Sequence, residues 1–288
     1  MANPVFDNSA VFRGPRSAVV RSADGRAVRA DRGPGNGPLL GTAGGAFPAS
    51  TVDTATLEQM YAAPTATARE TGRMTYEDVI VRTAGLLAVI VVVGAATWIL
   101  APQLFFVGAI VGLVLGLVNA FKRTPSPALI TLYAAAQGVF LGGISAFYDA
   151  QWNGVVLQAV LATVSVFAVA LVAYRSGKVR VTPKFQRAVM IGLGGYVLFS
   201  LVNLGLMLFG AGDGQFGPLR SGGWGFVVGL IAVGLAAASL VMDFDSIKRG
   251  VEAGAPRNVA WYAAFGLVVT LVWLYLELLR LAAILRGN

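Results

Sequence analysis

Three acidic residues stand inside or at the edge of stretches that are otherwise apolar. Asp243 and Asp245 occur in Val241-Met-Asp-Phe-Asp-Ser-Ile-Lys248 at the end of one long apolar run, and Glu277 occurs in Leu274-Tyr-Leu-Glu-Leu-Leu-Arg280 within the last. An Asp at the centre of a membrane-spanning helix costs at least about 2.5 to 3.5 kcal/mol, so it is seldom incidental. A carboxyl group desolvated beside a second one can share its proton, which makes a latch that responds to pH; an opened, ionised pair attracts a divalent cation. Plainer arrangements compete with this one. Asp243 and Asp245 are two apart, face different sides of a helix and can be solvated beside Lys248 and Arg249. Glu277 and Arg280 have the i,i+3 spacing of a helical ion pair. Lys122 and Arg123, which end another apolar run, serve either as topology anchors or as the cations that hold a carboxylate latch shut.

The rest of the composition narrows the chemistry. The 288 residues include no His and no Cys, so triads built on them, His or Cys metal sites, haem ligation and disulfides lack their side chains. Charged residues make up 12%, about half the usual share of roughly a quarter, while 56% are hydrophobic and the mean hydropathy is +0.71. The net charge of +8 could suggest nucleic acid, but the basic residues are not interleaved with aromatics on a polar face, and no nucleic-acid partner is expected. No phosphate-binding loop and no nucleophile elbow occurs. Two Asp residues on one helix at this spacing do not form the apposed dyad of an intramembrane protease. Neither catalysis nor a cofactor is expected; the identity of any bound metal is left open.

The elements that position these acids follow from the pattern of apolar runs. Residues 1–74 read as a polar cytoplasmic tail, with Arg13, Arg16, Arg21, Arg26, Arg29 and Arg32 and a Gly-Pro-rich stretch at 33 to 38; too little of it is apolar to offset the entropy of ordering, so it is expected to be disordered. A short helix near 55–63, stopped by Pro64, is allowed. At residue 75 the character changes, where Thr75 and Asp78 have capping-box spacing. Seven apolar runs follow within 75–288, at about 84–101, 104–121, 127–148, 155–174, 188–210, 224–242 and 259–279. At 1.5 Å per residue each can cross a hydrocarbon core about 30 Å thick, and none has the charged face of a soluble helix. The fold class is therefore an all-α integral membrane protein with seven transmembrane helices.

Lys and Arg cluster in the tail and after the second, fourth and sixth runs, whereas the alternate connections hold only Asp149, Asp213 and Arg220. That asymmetry places the N-terminus in the cytoplasm. Seven crossings then leave the C-terminus outside, unless the last run re-enters. Small residues recur at four-residue spacing as Gly108, Gly112 and Gly116, as Ala134, Gly138, Gly142 and Ala146, and as Gly225 and Gly229. These mark faces for close helix contact. By the same logic Asn119, Gln137, Gln158, Asn203 and Ser239 point inward.

The string Asp243-Phe-Asp-Ser-Ile-Lys, a short basic loop and a seventh run with Tyr275-Leu-Glu-Leu, taken with Asn119-Ala-Phe-Lys-Arg123 and Gln137-Gly138, resembles the Bax inhibitor-one family, including its YccA-like bacterial members. The resemblance covers about 75–288 and leaves the tail outside. It implies six helices surrounding a central seventh, and a pair of buried acids on the last two helices that gates a calcium (Ca2+) leak as pH changes. Asp243 matches the first acid, with Asp245 as rival, and Glu277 matches the second by its context. One feature departs from the family: Asp243 and Glu277 are 34 positions apart, and the seventh helix rises about 27 Å between 259 and 277. Unless that helix starts late or breaks near Gly266, the two cannot touch, and Thr270 occupies the acidic depth.

Two functions are carried forward. The first is a pH-sensitive cation leak channel for Ca2+, gated by protonation of Asp243 or Asp245 with Glu277. The alternative is a non-conducting membrane protein that modulates a membrane-bound AAA protease, as some YccA-like relatives do, with the tail as handle. A third class, a proton-coupled transporter, calls for inverted repeats, and the sequence has no clear internal repeat. Arg outnumbers Lys, and Ala, Gly and Val abound, which points to a GC-rich bacterium and hence to the plasma (inner) membrane.

Overall fold

Thr75 begins the first helix as its spacing to Asp78 predicts. Its hydroxyl accepts from the Asp78 N–H at 3.1 Å, and the Asp78 carboxylate accepts from the Thr75 N–H at 3.3 Å. The computed structural model describes residues 72–210 and 217–287, and the backbone of two strands in the tail, β1 (Val20–Arg21) and β2 (Ala27–Val28), which pair antiparallel. The chain divides into two units, Met1–Ala63 and Pro64–Asn288. The disordered tail and the short helix expected near 55–63 otherwise lie outside the described residues.

Seven helices follow: α1 (Tyr76–Leu100), α2 (Phe105–Phe121), α3 (Pro127–Gln151), α4 (Val155–Arg175), α5 (Pro183–Leu208), α6 (Gly222–Glu252) and α7 (Ala260–Gly287). Single 3-10 turns, Pro102–Leu104 and Arg257–Val259, lead into α2 and α7. All seven are long and apolar enough to cross a membrane. Large apolar side chains such as Val91, Leu113, Leu161 and Leu198 stand exposed on the outer helices. A soluble protein seldom shows so much contiguous apolar surface, which lipid covers without cost.

The seventh helix is the axis of the bundle. Ala264, Val268, Leu274, Leu279 and Ala283 on α7 are buried, and the helix packs against α6, α4, α1 and α3. It meets α5 through the Trp273 and Tyr196 rings, 5.4 Å apart, and α2 through Tyr262, whose hydroxyl donates to the Lys122 carbonyl. The expectation of six helices around a central seventh holds. Both ends of α7 are tied down. At one, Arg257 Nε lies 2.8 Å from Asp78 Oδ1; at the other, Arg286 donates to the Asn153 carbonyl between α3 and α4. The helix therefore crosses the whole bundle and continues unbroken through Gly266; it does not re-enter.

Residues 72–74 form a strap across the α6–α7 connection. The Met74 N–H donates to the Ala255 carbonyl at 2.8 Å, the Arg257 N–H donates to the Gly72 carbonyl at 2.9 Å, and the Met74 side chain is buried.

The glycine stripes are contact faces. A Cβ at Gly108 of α2 would lie 2.5 Å from the Phe140 backbone nitrogen of α3, and one at Gly142 of α3 would lie 2.2 Å from the Gly94 carbonyl oxygen of α1. With little hydrophobic drive between helices in lipid, such backbone approach supplies the van der Waals contact that holds them together. Asn119, Gln137 and Asn203 are buried and Ser239 is half-buried. Gln158 departs from the expectation: in the first turn of α4 it faces outward and is exposed.

A Gly142→Ala substitution should lower stability by about 1 to 3 kcal/mol through overpacking against Gly94. Gly194→Ala on α5, where a Cβ meets nothing within 4 Å, should change it by no more than about 1 kcal/mol. Thermal unfolding midpoints in one detergent compare the two directly.

Candidate functional site

The acids nominated by the sequence occupy three separate environments. Asp243 lies on α6 nine residues before its last, about 13 Å from that end at 1.5 Å per residue, and so is deeper than the apolar run alone suggested. Its Oδ2 lies 2.8 Å from the buried Thr270 hydroxyl of α7. Gly266, one turn earlier on α7, leaves room beside the acid: a Cβ there would lie 3.7 Å from Asp243 Oδ1. Among the described residues no Lys or Arg forms an ion pair with Asp243.

Asp245 points elsewhere, as its offset of two requires. Its carboxylate lies 2.7 Å from Arg249 Nη1 and accepts from the Tyr174 hydroxyl of α4 at 3.3 Å. Arg249 is more than half exposed, so this pair sits at the rim of the bundle.

Glu277 lies seven residues beyond Thr270 on α7, about 10 Å further along the helix. It is 4% exposed and fully engaged. Its carboxylate accepts from Arg280 on its own helix, from the Tyr196 hydroxyl of α5, and from Trp273 Nε1 at 3.3 Å. Arg220, in the connection before α6, reaches in from the end of the bundle to bond the Tyr196 hydroxyl and Ser200 Oγ, and comes within 3.6 Å of the same carboxylate. Lys122 and Arg123 are exposed and, among the described residues, make no ion pair.

The structure therefore does not bring Asp243 and Glu277 together. The partner of Asp243 is Thr270, at the depth where the spacing argument placed a replacement for the second acid. Arg220, Tyr196 and Trp273 were not singled out from the sequence. The one available signal was that Arg220 is the lone basic residue in the connections poor in Lys and Arg.

The Asp243–Thr270 arrangement has a definite chemical capability. Thr270 Oγ1 lies within 3.1 Å of the Gly266 carbonyl oxygen as well as 2.8 Å from the carboxylate. When Asp243 is ionised, the hydroxyl can donate to it. When Asp243 is protonated, the acid can donate to the hydroxyl, which turns its own hydrogen to Gly266. One hydroxyl thus satisfies both protonation states without moving a helix. Among the described residues no three acids gather where a metal ion would sit, and the polar side chains that meet here are one carboxylate and one hydroxyl. A cavity of about 490 Å³ between α1 and α4, floored by Leu271, Val272 and Tyr275, holds no acidic residue and is apolar except for a few hydroxyls.

The family model described as "Bax inhibitor 1 like" matches residues 3–287. The chain belongs to the Bax inhibitor 1-like family. The match begins at residue 3 and so takes in the tail, which the resemblance drawn from the motifs had left outside. A comparison with curated proteins finds no match to this chain. Within the Bax inhibitor 1-like frame, this chain is a multi-pass membrane protein whose last two helices meet through an acid and a hydroxyl.

Glu277→Ala should cost about 3 to 5 kcal/mol, because it strands the buried Arg280 guanidinium and the half-buried Arg220 beside it. Arg249→Ala breaks the rim pair with Asp245 and should cost no more than about 1 kcal/mol. Thermal unfolding of the two variants in the same detergent separates them.

Proposed function

We propose that this protein is a pH-sensitive cation leak pathway, with Ca2+ as the cation, in which the Asp243 carboxylate is the gate and Thr270 accommodates its change of protonation. One observation carries the reading: a carboxyl group within a membrane-spanning helix is bonded to a hydroxyl and has no cationic partner among the described residues. A hydroxyl-bonded acid with no arginine beside it can take or lose a proton and keep its hydrogen bond. Ionised, it offers a negative charge to a cation part-way along α6; protonated, it offers none.

The Lys and Arg distribution supports an orientation in which the bundle end carrying Lys122, Arg175, Arg249 and Arg257 faces the cytoplasm. With it goes residence in a bacterial plasma membrane. In that frame Asp243 lies on the cytoplasmic side of the bundle, and the Glu277 cluster lies toward the outer side as a structural pin. Asp245, Lys122 and Arg123 then belong to the cytoplasmic rim. No reaction is assigned to the chain.

The strap formed by residues 72–74 favours a second reading. It joins the tail directly to the connection between the two helices that carry Asp243 and Thr270. A partner that grips the tail, a membrane-bound AAA protease for example, would pull on that connection. Deleting residues 1–71, which spares the strap, should abolish such binding and leave ion flux intact; flux lost with binding retained rejects the handle.

Purified protein in liposomes should conduct Ca2+ with a rate that titrates between about pH 5 and 8, the range open to a buried carboxyl. Asp243→Asn should remove that titration, and Thr270→Val should displace it. Glu277→Gln, if it folds, should keep it. Absence of flux at every pH, or an unchanged profile in Asp243→Asn, rejects the proposal.

A further inference from the structure

The connection from α4 to α5 and the turns that flank it carry five cations, Arg175, Lys178, Arg180, Lys184 and Arg187, all of them exposed. Among the described residues no acid pairs with them. At the same end of the bundle Asp245 and Glu252 of α6 are matched by Arg249 and Lys248, and Asp78 by Arg82 and Arg257. Between Asp149 and Asp243 the sequence has one acid, Asp213, and it follows the opposite end of α5, about 39 Å away along that helix. Residues 1–71 carry seven Arg and six Asp or Glu, so the tail has no net negative charge to offer.

Basic connections by themselves mark only topology. Here the cations stand at the mouth of a groove. α4 and α5 both pack on α6 but hardly on each other, and a groove of about 440 Å³ lies between the three helices. It follows α4 from Ala173 to Ser165, about 12 Å, over a floor of Ala237, Ala238 and Val241 from α6. Ser165 spends its hydroxyl on the Leu161 carbonyl, and every other lining side chain is apolar. Val179 and Phe185 line the groove at its loop end, and each of the five cations is within two residues of Val179, Phe185 or Ala173.

The groove runs along membrane-spanning helices, so what fills it comes from the bilayer. Its walls suit a hydrocarbon chain, which needs no hydrogen-bond partner. Its mouth suits a negative headgroup: basic pockets between spans at a membrane face attract anionic lipids, and Arg offers a phosphate a fork of donors. A zwitterionic headgroup brings no net charge to answer the five cations.

We infer that this groove holds one phospholipid with an anionic headgroup, its acyl chain between α4 and α5 and its phosphate met by Lys178, Arg180 and Lys184. The site is separate from Asp243. It depends neither on the proposed leak nor on which leaflet this end of the bundle faces.

The test uses the full chain in phosphatidylcholine nanodiscs containing increasing phosphatidylglycerol. Native mass spectrometry of the released protein should show phosphatidylglycerol retained to saturation near one molecule per chain, in preference to phosphatidylcholine. Replacing Lys178, Arg180 and Lys184 together by Gln should weaken that retention about tenfold or more. Replacing Lys122 and Arg123 by Gln removes two exposed cations from another connection and should leave it unchanged. Ala238→Leu fills the groove, keeps every charge and should lower retention several-fold. Should that variant fail to fold, Val169→Trp, at the exposed rim of the groove, tests the same point. Equal retention of phosphatidylcholine, an equal loss on replacing Lys122 and Arg123, or unchanged retention in the groove-filling variants overturns the inference.

Discussion

Charge is expensive between membrane helices, and the bundle is organised around how each ionised group is cancelled. Glu277 is surrounded by Arg280, Arg220, Tyr196 and Trp273. Asp78 is held by its own helix cap and by Arg257. Asp245 sits at the rim with Arg249. Asp243 alone of these four has a hydroxyl and no arginine among the described residues. That difference in partners separates three acids that an arginine answers from one that none does.

The ion pairs also explain the role of α7. A helix buried on most sides in lipid gains little from apolar contact alone, because lipid tails are as apolar as Leu. Polar ties at defined heights fix its register: Tyr262 to α2, Thr270 to α6, Tyr275 to Ser145 of α3, Glu277 to α5, and Arg286 to the α3–α4 connection. Between these ties, glycine faces let α1, α2 and α3 close upon one another. Displacing α7 by one residue would break every tie at once, which is why the position of Thr270 opposite Asp243 is so firmly set.

Much of the architecture was legible in the sequence. Run length and the lack of charged faces marked seven spans, four-residue glycine spacing marked the contact faces of α2 and α3, and Thr75 with Asp78 marked where the bundle begins. Helical rise argued that Glu277 lies too far along α7 to touch Asp243 unless that helix starts late or breaks near Gly266, and the helix runs unbroken. These features are local or additive, so counting along the chain recovers them. Gln158 shows the limit of the same reasoning: polarity argued for the interior, but its place in the first turn of α4 puts it at the edge.

What only the tertiary structure decided is which side chain answers each charge. The sequence by itself determined that carboxylates lie within apolar helices and that Glu277 has Arg280 one turn away. It carried no sign that Tyr196 and Arg220, 81 and 57 positions from Glu277, close on the same carboxylate. Nor did it separate Asp243 from Asp245 as the acid facing α7. Such pairings depend on helix rotation and on the crossing of distant elements, and the polar groups reveal their partners only once the packing of apolar and small residues has set those angles.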